Sequence, residues 1–172
     1  ETFTASEAVV TTIPNAGPQP QRAVRSLTVS SPPADCLVID VDLAVNVSHS
    51  WFGDLDLSLA HGGSTMAMFT NSVTPFCTSN SNVIGTFDDD AAALMTSCST
   101  PMLNNERRKT EGGTSLTAFD GLAAIGSWTL TVQDNIIGGT NQTTVNTLNS
   151  WGVTGVCRYR RLAARAGRRR GA

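Results

Sequence analysis

Charge is scarce in this 172-residue chain. Asp, Glu, Lys and Arg together make up 15 %, well under the usual quarter, and lysine occurs once, as Lys109. Aromatic residues amount to 6 %, with a single tyrosine, and there are only two histidines, His49 and His61. No run approaches eighteen consecutive apolar residues, so no membrane-spanning helix is expected. No two of the four cysteines stand at a C-x₂₋₄-C spacing, which excludes the common zinc patterns. The nucleophile elbow G-x-S-x-G, the zinc-protease motif H-E-x-x-H and the EF-hand loop are absent as well. A Ser–His–Asp triad can be drawn on paper, but no motif stands behind it. Both histidines read as surface or loop residues.

The charge that is present is unevenly split. Up to Cys157 there are five basic residues against all fourteen acids, a net −9, whereas residues 158–172 hold seven Arg and no acid. An acidic body with a basic tail does not suit nucleic acid, because neutralising phosphates needs Lys and Arg on the domain itself. The tail has no capping signal and strong self-repulsion, and it reads as a solvated, disordered segment. Ser, Thr, Asn and Gly abound, as on the surface of an extracellular β module. Cys36, Cys77, Cys98 and Cys157 form an even set that permits two disulfides in an oxidising compartment. Of three pairings the preferred one joins Cys77 to Cys98 and Cys36 to Cys157; four free thiols in a cytosolic protein is the alternative. The expected location is therefore secreted, extracellular or at the cell surface.

Alternation is the dominant local signal. The odd positions from Leu37 to Val47 are all apolar, with Asp40, Asp42 and Asn46 among the even ones, as in a strand with one wet face. Leu55, Leu57 and Leu59 repeat the pattern. His61-Gly62-Gly63-Ser64 is a turn that returns the chain along Thr65 to Phe69. Trp128 to Val132, Trp151 to Val156 and the shorter Leu27-Thr28-Val29 complete the strand set. Trp128 and Trp151 fall in phase with their apolar neighbours and are expected in the core; Trp51 is left open. Helix evidence is confined to Asp88-Asp89-Asp90 ahead of Ala91 to Met95, enough for about two turns. Short strands with turn punctuation and almost no helix predict a β-sandwich or barrel. The segments 70–86 and 99–115 read as polar loops.

Three segments, in order, are similar to a known module: Ser50-Trp51-Phe52-Gly53-Asp54-Leu55-Asp56-Leu57, then Gly85-Thr86-Phe87-Asp88-Asp89-Asp90, then the run from Leu116 to Val153, with Gly126-Ser127-Trp128-Thr129-Leu130 and Leu148-Asn149-Ser150-Trp151. Together they resemble the P domain, or Homo B domain, of kexin- and furin-like proprotein convertases and of bacterial secreted subtilisin-like proteases. The resemblance covers residues 13–157 and leaves 1–12 as an N-terminal extension and 158–172 as the basic tail. It implies an all-β jelly-roll sandwich of about eight strands with at most one short helix. It also implies a non-catalytic accessory module whose partner is a protease catalytic domain or a protein substrate.

Calcium is the expected cofactor. Asp54, Asp56, Asp88, Asp89, Asp90 and Asp134 are carboxylates at turns or strand ends, the hard oxygen donors that calcium takes, and bacterial members of the family are associated with it. Among them Asp54 and Asp88 match the family motifs best. A competing expectation is a stand-alone structural subunit of an extracellular assembly, built from copies of itself. In that reading the segment carrying Phe3, Val9, Val10 and Ile13 adds a strand to a neighbour's sheet.

Overall fold

A computed structural model of the chain describes residues 1–14, 20–70, 81–95, 101–113, 115–136 and 146–159. The expected Cys77–Cys98 bridge and the tail beyond Tyr159 lie outside them. Among the described residues ten strands form: β1 Thr2–Glu7, β2 Thr11–Thr12, β3 Gln21–Val29, β4 Cys36–Ser48, β5 Leu55–His61, β6 Ser64–Phe69, β7 Val83–Phe87, β8 Arg107–Arg108, β9 Gly126–Asp134 and β10 Thr147–Tyr159. They build two sheets. One has the order β1-β10-β4-β7-β8, with β2 also on β10; the other is β3-β9-β5-β6. The sheets pack as the expected all-β sandwich, and within each most neighbours are distant in sequence, such as β3 beside β9 and β10 beside β4.

Period-two patterning explains most of the core. Leu57 and Leu59 on β5 pair with Val132 and Leu130 on β9, and these four, with Leu55 and Trp128, are fully buried. Each such side chain contributes about 1.5–3 kcal/mol by leaving water. The β5–β6 hairpin turns on Gly62 and Gly63, whose φ values of 58° and 88° are those of a two-residue type I′ turn.

The long alternation of β4 is interrupted once. Val156 pairs with Asp40 but Cys157 with Val38, so Ile39 is an extra residue, a β-bulge. Beyond it the phase inverts: Val41 to Val47 point inwards as expected, whereas Ile39 is exposed and Cys36 and Val38 take the core positions. The inversion turns Cys36 towards Cys157, and the two form a disulfide with Cα atoms 5.4 Å apart.

Two expectations are corrected. Residues 1–12 are not an extension ahead of the sandwich. β1 pairs with β10 from Thr2↔Val156 to Glu7↔Trp151, and Phe3 is buried against Trp128 with ring centroids 6.0 Å apart. Gly155 makes room for it, since a Cβ there would stand 2.5 Å from the Phe3 ring. The strand is used within its own chain, as an edge strand of the first sheet. The segment Asp88 to Met95 is not a helix either. The Asp88 side chain accepts from the Asp90 N–H at 2.7 Å and closes a turn, and Ala93 and Met95 bond to the backbone of Lys109. The described residues contain only short 3₁₀ turns, Phe52–Asp54 and Leu116–Phe119. The polar stretches 70–86 and 99–115 hold parts of β7 and β8.

Candidate functional site

Chemistry-bearing side chains gather at two places. The first is an acidic face. β7 lies antiparallel to β4 with Phe87 opposite Leu43, so Asp88 emerges beside the outward Asp42. β8 runs parallel to β7 and brings Arg107 between them: its Nη2 is 2.5 Å from Asp42 Oδ2 and its Nε donates to Asp88 Oδ2 at 2.7 Å. The Lys109 ammonium donates to the Asp89 carbonyl at 2.6 Å, and the Thr117 N–H donates to Asp89 Oδ2 at 2.9 Å. A cavity of about 190 Å³ opens alongside, lined by Asp40, Asp89, Asp90 and Asp120 together with Ile39 and Thr117.

Burial pushes the Asp40 carboxyl above its usual range, and the charges of Asp42, Asp90, Asp88 and Asp120 push it further. Burial also raises Asp42 in spite of Arg107, and it raises Asp89 and Asp120. The guanidinium of Arg107, hydrogen-bonded to Asp88 and Asp42, is held above its ordinary value. These carboxylates carry a cost of crowding that one exposed arginine offsets in part.

The second place is the end of the sandwich where β4 and β9 finish. His49 follows β4 and Asp134 ends β9, in opposite sheets. Their side chains are fully buried, with His49 Nε2 3.2 Å from Asp134 Oδ2. The Trp51 N–H donates to His49 Nδ1 at 3.1 Å, which assigns the tautomer: Nδ1 accepts and Nε2 donates. Asp134 Oδ1 accepts from the Ile136 N–H at 3.1 Å, so the carboxylate ties the loop after β9 to the ring that holds the Trp51 loop. The loops are also joined directly, since the Asn135 N–H donates to the Asp54 carbonyl at 2.9 Å. Asp54 is pushed up by its own burial and then by the charge of Asp134.

Both histidines therefore differ from the surface or loop role expected of them. His49 is 3 % and His61 6 % exposed. His61 lies flat on Trp128, ring centroids 3.8 Å apart and planes within 3°, with its nitrogens 2.9 and 2.7 Å from the carbonyls of Ser127 and Ala123. A signal for this burial was in the sequence. His49 continues the odd-numbered phase of Val41 to Val47, and His61 that of Leu55 to Leu59. A polar residue in an apolar phase is a buried residue that needs partners.

His49 and Asp134 now stand together, with Ser50 next to His49 in sequence. Both ring nitrogens are engaged, Nδ1 by a backbone N–H and Nε2 by Asp134, so neither is left to take a proton from Ser50 Oγ. The ring is also sealed from solvent.

The six carboxylates expected to hold calcium do not form one set. Asp54, Asp56 and Asp134 lie where β5 begins and β9 ends, whereas Asp88, Asp89 and Asp90 follow the far end of β7. Among the described residues no three His, Cys, Asp or Glu side chains converge as a metal ion requires. Asp88 is taken up by Arg107 and the Asp90 N–H, Asp134 by His49 and the Ile136 N–H, and Asp56 receives Gln133 Nε2 at 3.4 Å. Asp89 Oδ1 is buried without a hydrogen-bond partner among the described residues. Of the three tryptophans, Trp128 and Trp151 are buried as expected; Trp51 is 48 % exposed.

No family model and no curated protein matches the chain. Among solved structures it is similar to a serine protease of Aeromonas sobria, with 15 % identity, a TM-score of 0.49 and 90 % of this chain covered. It is likewise similar to the same protease in complex with its chaperone, with 16 % identity, a TM-score of 0.49 and 92 % covered. The chain spans 26 % of the length of each of those proteins.

Proposed function

We propose that this chain is a non-catalytic accessory module of a secreted subtilisin-like protease, acting by docking on the catalytic domain. The observation that carries the reading is the sealed state of His49, with both ring nitrogens bound and the side chain out of solvent. The residues from which an active site could be assembled hold the scaffold instead. The order of the three motifs supports the protease context. They become the turn into β5, the end of β7 and the run from the second 3₁₀ turn through β9 into β10, which frame the core.

The mechanism is linkage. A module that binds only the folded partner stabilises it by RT ln(1 + [L]/Kd), about 2.7 kcal/mol when the effective concentration is one hundred times Kd. A covalent tether supplies effective concentrations in the millimolar range, so even a weak contact suffices. The competing structural-subunit reading loses its donor strand, because β1 is already paired in its own sheet.

The test joins the module to a subtilisin-like catalytic domain and compares thermal unfolding with that of the catalytic domain alone. The expected result is a higher melting temperature with unchanged kcat. Identical melts, or hydrolysis by the isolated module that disappears in His49→Ala, would end the reading.

A further inference from the structure

Trp51 and Ile136 are each 48 % exposed, and both sit on loops fixed from beneath by the same buried pair. The linkage is continuous: the Ile136 N–H to Asp134 Oδ1, Asp134 Oδ2 to His49 Nε2, and His49 Nδ1 to the Trp51 N–H, each bond between 3.1 and 3.2 Å. An exposed apolar side chain on a loose loop loses conformational freedom on binding; one on a pinned backbone loses much less. Indole is moreover the side chain most enriched among residues that dominate protein interfaces.

The charge beside these two anchors indicates the partner. Asp54 closes the 3₁₀ turn that starts one residue after Trp51, and its N–H donates to the Trp51 carbonyl at 3.2 Å. No described cation forms an ion pair with it. The positively charged residue in nearest register, Arg22, stands across Gln133 on the outer face of the second sheet. The Asp54 carboxylate is half-buried and repelled by Asp134, with His49 relieving it in part. Ser50 Oγ, in the same turn, is buried with no hydrogen-bond partner among the described residues.

The Glu1 and Tyr159 ends of β1 and β10 lie at the opposite end of the sandwich. The Glu1 amino group donates to the Cys157 carbonyl and Tyr159 pairs with Cys36, at the other end of the 13-residue β4, about 40 Å away at strand rise.

We propose that the Trp51–Ile136 end is a docking surface for a separate protein, one that offers an Arg or Lys side chain next to apolar ones. The cation meets the carboxylate of Asp54 and the face of the Trp51 indole, and the apolar flank covers Ile136. This goes beyond docking on a covalently joined domain, which needs only some buried surface.

The experiment titrates the 172-residue chain with a short peptide of alternating Leu and Arg, and in parallel with its Leu and Glu counterpart. Acrylamide quenching reads Trp51, the exposed indole among the three, and amide shifts read residues 50–54 and 134–136. The expected result is that the Arg peptide shields Trp51 and shifts those amides while the Glu peptide does neither. Trp51→Ala should abolish binding, Asp54→Asn weaken it about tenfold and Ile136→Ser weaken it as well, with Asp40→Asn on the acidic face neutral. These are surface positions whose variants fold, as the unchanged amide spectrum elsewhere will show. No protection at millimolar peptide, equal binding of the Glu peptide, or binding that is lost with Asp40→Asn and retained with Asp54→Asn would overturn the proposal.

Discussion

The acidic face and the His49–Asp134 end use the same kind of contact, a carboxylate against a nitrogen base, with opposite consequences. On the acidic face Arg107 touches Asp42 and Asp88 while its own side chain remains 56 % exposed. Water screens such contacts, and exposed pairs are typically worth about 1 kcal/mol or less. At the other end both partners are out of solvent, every polar atom of the imidazole is bonded, and two loops depend on the pair. Location rather than chemistry sets the energy: water competes for the first contact and is excluded from the second. The acidic face is accordingly a region of unfavourable charge that is tolerated, whereas the buried pair is a structural joint.

The largest expected effect falls on that joint. Asp134→Ala leaves two buried donors, the His49 imidazole N–H and the Ile136 N–H, without an acceptor, and should lower the unfolding free energy by about 3–5 kcal/mol in urea titrations. Arg107→Ala, measured in the same way, should cost about 1 kcal/mol or less. Equal losses would break the comparison.

Next is the Cys36–Cys157 disulfide, which closes a sequence separation of 121 residues. Replacing both cysteines with Ala should remove about 2–5 kcal/mol, read as a lower urea midpoint for a chain that still folds.

A smaller effect concerns calcium. With the acidic face braced by Arg107, chelator should leave the melting temperature of the parent chain unchanged. In Arg107→Ala the freed Asp42 and Asp88 become available to a divalent cation, and added calcium should recover part of the lost stability. A parent chain whose melting temperature falls in chelator would contradict that expectation and return calcium to these carboxylates.

The smallest effect depends on pH, and its sign follows from the raised carboxyls. Asp40, Asp42, Asp89 and Asp120 bind protons more tightly in the folded state than in the unfolded one. Their contribution is fully present below the unfolded carboxyl pKa of about 3.9 and is lost as pH rises through the folded values. Asp40→Asn should therefore stabilise the protein by a few tenths of a kcal/mol at neutral pH, and the gain should vanish in acid. Glu7 shows the reverse. Its hydrogen bond to Arg25 lowers its pKa, so its contribution is present above the unfolded value and is lost as pH falls through the folded one. Stability profiles of Asp40→Asn and Glu7→Gln that shift in the same direction would contradict this account.

What the chain determined by itself is whatever repeats with period two. Leu55, Leu57 and Leu59, or Trp128, Leu130 and Val132, declare strand, face and burial from six residues of context, because successive side chains leave a strand on opposite sides. The Gly62-Gly63 turn is equally local, since only glycine adopts both conformations freely. Tertiary structure decided what depends on a distant partner. The bulge at Ile39 is defined only by β10, and it moved Leu37 and Ile39 outwards and Cys36 inwards. The acidic turn lost its helix to backbone bonds with Lys109, and Thr2–Glu7 became an edge strand because Gly155 leaves space for Phe3. His49 and Asp134 lie 85 residues apart, and no spacing rule could join them. Burial then turned a histidine read as a loop residue and an aspartate read as a calcium ligand into the joint on which the exposed Trp51 rests.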